Sequence, residues 1–186
     1  MTFGNVNSNS WNGITFSSGS LGYNPADGSG NILDNVLIDH ASTAISMYSS
    51  PSPLFSNIRL TNTNSYGIYY YNSVAYQLTN FSIDSGSYGV YAPNSNTACA
   101  TTPCFINGGS FSNLYSAIYI WAYTLDMNFT VSDVSFSNMN YVSDLLVREE
   151  RIFCHFIAKS VNLWSEGEGK RGRGYLFATR SAFLLI

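Results

Sequence analysis

Residues 55–75, FSNIRLTNTNSYGIYYYNSVA, and residues 78–94, LTNFSIDSGSYGVYAPN, are one pattern written twice. Each half opens on an Asn flanked by apolar residues, Asn57 or Asn80, and continues as an alternating apolar–polar run. Ten and nine residues after these Asn stand Gly67 and Gly89, each preceded by Tyr and followed by a second alternating run. Alternation with a period of two reads as strand. A repeat of twenty-odd residues built from short strands and turns predicts a solenoid, because one unit cannot bury its apolar face until neighbours stack on it.

Working outward, the same unit recurs on both sides. Its anchor is an apolar residue, any residue, then Asn, Asp or Gly, then apolar-x-apolar-polar. The anchors fall at Gly13, Asn35, Asn57, Asn80, Gly108 and Asp133, with spacings of 22, 22, 23, 28 and 25. The second element, Gly or Ala before a strand, sits at Gly22, Ala44, Gly67, Gly89 and Ala117, at offsets of nine, nine, ten, nine and nine. A β-sandwich also has short strands but gives no reason to hold one internal offset through six units. The expected fold is therefore all-β: a right-handed parallel β-helix of about six coils over residues 1–147, followed by an atypical tail over 148–186. Ile58, Leu60, Ile68, Phe81, Ile83 and Val90 are expected inside. Asn35, Asn57 and Asn80 are expected at bends, where Asn tolerates left-handed backbone, with their amides stacked in a ladder.

Composition divides the chain at the same place. Charged residues make up 10% of the sequence and aromatics 16%, against about 25% charged in a typical soluble domain. Residues 1–147 hold seven Asp, no Glu, no Lys and the single cation Arg59, a net charge of −6. Residues 148–186 hold seven Lys and Arg against four Glu, a net charge of +3. The tail abandons the repeat and its Asn and Ser bias together. It reads as poorly ordered or capping, with translated intron or shifted-frame sequence after Val147 as the favoured origin and an amphipathic cap on the last coil as the rival. The short basic run at Lys170–Gly174, beside Glu166 and Glu168, gives no nucleic-acid surface. No run of 18 apolar residues suggests a membrane span, and MTFGNVNSNSW has no signal-peptide pattern. A chain beginning almost inside a repeat is expected to be part of a longer solenoid, with further coils missing.

The unit N-[IFV]-x-[LI]-[TD]…S-Y-G-[IV]-Y…N-S resembles the β-helix repeats of the pectin-lyase-like superfamily, over residues 11–147. The resemblance implies a right-handed parallel β-helix and an extracellular or cell-surface location. It implies either a polysaccharide lyase, hydrolase or epimerase, or a non-catalytic surface protein. Val36-Leu37-Ile38-Asp39-His40 is similar to the WIDH segment of pectate lyases, with Leu37 in place of the Trp, but the calcium-binding Asp clusters of those enzymes are not evident.

If Ile68 and Tyr70 point inward, Tyr69 and Tyr71 point outward. The same alignment puts Ser46 and Tyr48, Tyr91 and Pro93, and Tyr119 and Trp121 outside on successive coils. Tyr48, Tyr69, Tyr71, Tyr91, Tyr119 and Trp121 then form an aromatic strip, expected to bind a polysaccharide through rigid, amphipathic rings. The plainer reading is that the rings stabilise neighbouring strands. A second outward array holds Asp39, Arg59 and Asp84. These are the candidate base and cation of a uronate lyase or epimerase, with Ca²⁺ on oxygen ligands as the only cofactor considered; the plainer reading is a surface ion pair. His40 is expected inside or at a turn, and no metal site is expected. Cys99 and Cys104 predict a disulfide-pinned loop in a secreted protein. Of the sequons at Asn80 and Asn128, Asn128 is the expected glycosylation site.

Overall fold

The computed structural model describes residues 2–4, 11–24, 26–72, 77–94, 104–122, 129–147 and 162–164. They form a parallel β-solenoid of about four turns without helix. Strands β1 (Thr2–Gly4) to β5 (Leu54–Thr61) include β2 (Ile14–Phe16), β3 (Ile32–Asp39) and β4 (Thr43–Tyr48). Then come β6 (Tyr66–Tyr71), β7 (Gln77–Asn94), β8 (Cys104–Ala122), β9 (Phe129–Val147) and β10 (Asn162–Trp164). Every strand pairs in parallel with its neighbour one coil away. β7, β8 and β9 are long because each runs across two walls of a coil without losing its pairing.

The bends explain the anchor. All six anchor residues have left-handed backbone, with φ of 75° at Gly13, 53° at Asn35, 50° at Asn57, 48° at Asn80, 62° at Gly108 and 53° at Asp133. Gly adopts this region without penalty, and Asn and Asp are the side chains that tolerate it best. Five residues further on a second left-handed bend ends the first wall, at His40, Asn62, Ser85, Asn113 and Asn138. His40 thus sits at a turn and is exposed. Asn35 and Asn57 do not simply stack: both donate to the Asp34 carboxylate, at 2.7 and 2.8 Å. The expected amide ladder is here a carboxylate shared between two coils, since an ionised acceptor makes the stronger bond.

Between the two bends the walls fill the interior in rows. Val36, Ile58, Phe81, Gly109 and Val134 are register partners, and so are Ile38, Leu60, Ile83, Phe111 and Phe136. On the second wall Ile45, Ile68, Val90 and Ile118 make the corresponding row. All six residues expected inside are buried. The rows interlock where a ring meets a missing side chain. A Cβ at Gly109 would stand 2.5 Å from the Phe81 ring, and one at Gly89 would stand 2.5 Å from the Phe111 ring. Glycine there is a packing choice, because each ring occupies the space a Cβ would need.

The six coils counted from anchors exceed the four turns described. The first anchor introduces only the three-residue β2, and its second element, Gly22, lies outside any strand. Within the expected tail, β10 pairs in parallel with Ser135–Ser137 of β9; the rest of residues 148–186 lies outside the described residues.

Candidate functional site

The second wall carries the tyrosines outward. Gly67 and Ile68 are both buried, so alternation breaks there and Tyr66 emerges on the same side as Tyr69. Gly89 and Val90 do the same for Tyr88 and Tyr91. Two outward rows result. One runs Ser46, Tyr69, Tyr91, Tyr119, and the other Thr43, Tyr66, Tyr88, whose register partner on the next coil, Ser116, is fully buried beside the exposed Tyr115. Tyr66 and Tyr88 were legible only as the residues before the Gly that opens the second run. Their pairing with the strip three residues later depends on two consecutive inward residues, which strict alternation does not anticipate.

Ring geometry decides what this surface presents. Tyr66 and Tyr91 have centroids 4.5 Å apart with planes at 23°, and Tyr91 and Tyr119 4.7 Å apart at 21°. Near-parallel rings this close must lie face on face. The faces in the middle of the strip therefore cover one another, and these rings are half-buried. Open ring surface is found at the margins, where Tyr48 is 46% exposed, Tyr71 36%, Tyr115 46% and Trp121 37%. A bulge between Tyr69 and Tyr71 moves Tyr71 opposite Asn94 and out of line with Pro93. Tyr48 packs against both Tyr69 and Tyr71, at 5.7 and 6.2 Å. Beside them lies a groove of about 280 Å³ lined by Thr43, Ser46, Tyr48, Tyr66, Tyr69, Tyr91 and Pro93. Ser46, expected outside, faces this groove but is covered, at 6% exposure. Burial pushes the Tyr91 phenol up to about 12, with the neighbouring tyrosines adding to the shift, and it raises Tyr69 as well. The groove is a neutral, hydroxyl-rich slot with aromatic walls.

The first wall carries the carboxylates. Asp39, Thr61, Asp84, Ser112 and Ser137 are register partners, so Thr61 stands between the two Asp. Arg59 is exposed and belongs to the adjacent row, opposite Leu37 and Ser82. The structure thus places the cation beside the carboxylate row, not within it. Each Asp holds the bend of the next coil. Asp39 accepts from Thr61 Oγ1 at 2.7 Å and Asn62 Nδ2 at 2.9 Å, and Asp84 accepts from Ser112 Oγ at 2.7 Å and Asn113 Nδ2 at 2.6 Å. His40 Nδ1 lies 2.7 Å from Asp39 Oδ2. The Thr61 bond, followed by those of Asn62 and His40, lowers the Asp39 carboxyl to about 2. So weak a base is poorly matched to proton abstraction near neutral pH. Asp39 also sits between the hydroxyl and the imidazole, whereas nucleophile activation needs the imidazole in the middle.

A hard cation such as Ca²⁺ takes six to eight oxygens. Asp39 and Asp84 lie two coil levels apart, roughly 10 Å at the usual strand spacing, and both oxygens of Asp39 and Oδ1 of Asp84 are engaged by the donors above. They do not fit a shared ion. Among the described residues no three His, Cys, Asp or Glu side chains come together as a metal group.

Cys104 is buried at the start of β8; Cys99, its expected partner, lies outside the described residues. So does Asn128, the expected glycosylation site. Asn80 is exposed, and its amide oxygen lies close enough to Gly108 that a Cβ there would stand 2.8 Å away. The coil-facing amide expected at Asn80 is found in that contact. No family model matches the chain, and comparison with curated proteins and with solved structures finds no match either.

Proposed function

We propose that the chain is a polysaccharide-binding β-helix module, extracellular or on a cell surface, whose contact surface is the tyrosine wall around Tyr48, Tyr69, Tyr71 and Tyr91. The observation that carries this reading is the groove itself. Hydroxyls of Thr43 and Ser46 and the tyrosine edges meet open ring surface at Tyr48 in one slot. A sugar ring has the matching chemistry, with hydroxyls around its rim and apolar C–H faces. A solenoid also repeats along its axis, as a polysaccharide does.

Binding is favoured over turnover. Asp39 and Asp84, the candidate catalytic carboxylates, are engaged in holding bends, and Asp39 is a weak base. A right-handed helix continuing to six coils, as in the pectin-lyase-like superfamily, belongs to the same proposal. The second reading is a non-catalytic solenoid whose aromatic wall packs on a neighbouring protein. It draws on the exposed rings at the margins of the wall, Tyr115 and Trp121.

A glycan microarray probed with the full chain separates the two. The proposal expects binding to a defined set of glycans and its loss in the double variant Tyr48→Ala/Tyr71→Ala, with an unchanged circular dichroism spectrum. No binding to any glycan would leave the protein-contact reading in place.

A further inference from the structure

Resting on the polysaccharide reading, we infer that the groove selects uncharged polysaccharides and rejects polyuronates and sulfated chains. Arg59 is the only Lys or Arg among the described residues, and it projects from the other wall, opposite Leu37 and Ser82. Among the described residues nothing cationic lines the groove: its seven lining residues are two hydroxyl side chains, four tyrosines and a proline. The Tyr91 phenol, raised to about 12, remains a neutral donor throughout the physiological range. A carboxylate or sulfate pressed against this surface would lose water and gain no counter-charge, an arrangement that disfavours binding strongly.

The charge of the whole repeat region acts in the same direction. Residues 1–147 carry a net −6, and such a field lowers the local concentration of anionic chains. The two effects are separable, because the long-range field is screened to about 3 Å in 1 M salt whereas desolvation inside the slot is not. Stacking falls to Tyr48 and Tyr71, since the central ring faces cover one another. Hydrogen bonding falls to the hydroxyls of Thr43, Ser46, Tyr66, Tyr69 and Tyr91.

The test uses polymers that share a backbone and differ in charge. Affinity electrophoresis of the full chain compares hydroxyethyl-cellulose with carboxymethyl-cellulose, neutral with sulfated galactan, and fully methyl-esterified polygalacturonate with its free acid. The expectation is retardation by the neutral member of at least one pair, with binding to its anionic counterpart weaker by about tenfold or more, the size of an uncompensated buried charge. A companion pull-down in 1 M salt should preserve the difference. Equal or tighter binding to the anionic members overturns the inference while sustaining the polysaccharide reading. A preference that vanishes in 1 M salt overturns the groove as its source. Binding to no member of any pair overturns both.

Discussion

Tyr91 lies between two near-parallel rings, Tyr66 at 4.5 Å and Tyr119 at 4.7 Å. Stacked pairs of this kind stabilise by about 0.5–1.5 kcal/mol each beyond their buried area. The centre of the strip is therefore part of the scaffold, holding successive coils in register at the second wall. Open ring faces remain at the margin, at Tyr48 and Tyr71, and the proposed ligand contact is placed there. Strand stabilisation, one reading of the sequence, accounts for the central tyrosines, and the proposed sugar contact is assigned to the marginal ones.

An alkaline limit on stability follows from the same row. Folding raises Tyr91 from its ordinary value of 10.0 to about 12, so the fold favours the neutral phenol. Its contribution is complete below about pH 10 and is lost as pH rises toward 12. Phenolate absorbance on titration should show exposed tyrosines ionising first. A later group, containing Tyr91 and Tyr69, should ionise together with loss of the β-sheet signal. A single transition near the ordinary tyrosine range would refute this burial.

The inward–outward assignment of the second wall predicts unequal costs for two residues of the same strand, Ile68 and Tyr71. Ile68 is fully buried in the row with Ile45 and Val90. Ile68→Ala should cost about 2–5 kcal/mol in urea unfolding, through lost burial and the cavity left behind. Tyr71, 36% exposed at the margin, should cost about 1 kcal/mol or less as Tyr71→Ala, through its contacts with Tyr48 and Tyr69. The reverse order would mean that the register is displaced by one residue.

How far the sequence carries can be judged from particular positions. The anchors were legible because one backbone requirement, positive φ, limits the residue to Gly, Asn or Asp, and all six do show it. The second bend was hidden because His40 and Ser85 share it with Asn62, Asn113 and Asn138. There, hydrogen bonds from the neighbouring coil offset an unfavourable residue type. The alternation of Ile68 with Tyr69 was legible from period two. The addition of Tyr66 and Tyr88 was not, because the Gly67–Ile68 and Gly89–Val90 corners break that period. Asp39, Arg59 and Asp84 do lie on successive coils as read, but Arg59 does not stand in the carboxylate row. Outward positions on a strand form two rows, and Arg59 and Asp39 occupy different ones.

Asp39 makes a contribution on the acid side. Thr61, Asn62 and His40 favour its ionised form and lower it to about 2. Stability from this network is complete above the ordinary carboxyl value of 3.8 and is lost as pH falls through 2. Asp39→Asn removes the titration, so the variant's melting temperature should change less than that of the parent between pH 4 and pH 2, by the same linkage. At neutral pH the variant should be the less stable of the two, because a charge-assisted acceptor has become a neutral one. Parallel acid limbs in the two proteins would assign the acid sensitivity elsewhere.

The left-handed anchors give the most direct test of how the repeat encodes its bends. Asn57 has φ of 50° and donates to Asp34 on the preceding coil and to Ser56. Asn57→Gly keeps the backbone and loses only the exposed side-chain bonds, so it should cost about 1 kcal/mol or less. Asn57→Val loses the same bonds and adds a β-branched side chain in a region that branched residues avoid, for a further 1–3 kcal/mol or so. The difference between the two variants isolates backbone strain from hydrogen bonding. As an internal control, Arg59→Val is also exposed, two residues along the same strand, and lies in extended backbone where branched residues are favoured. It should be nearly neutral in the same urea titration. If Asn57→Gly and Asn57→Val unfold at the same denaturant concentration, the anchor is selected for its amide and not for its backbone.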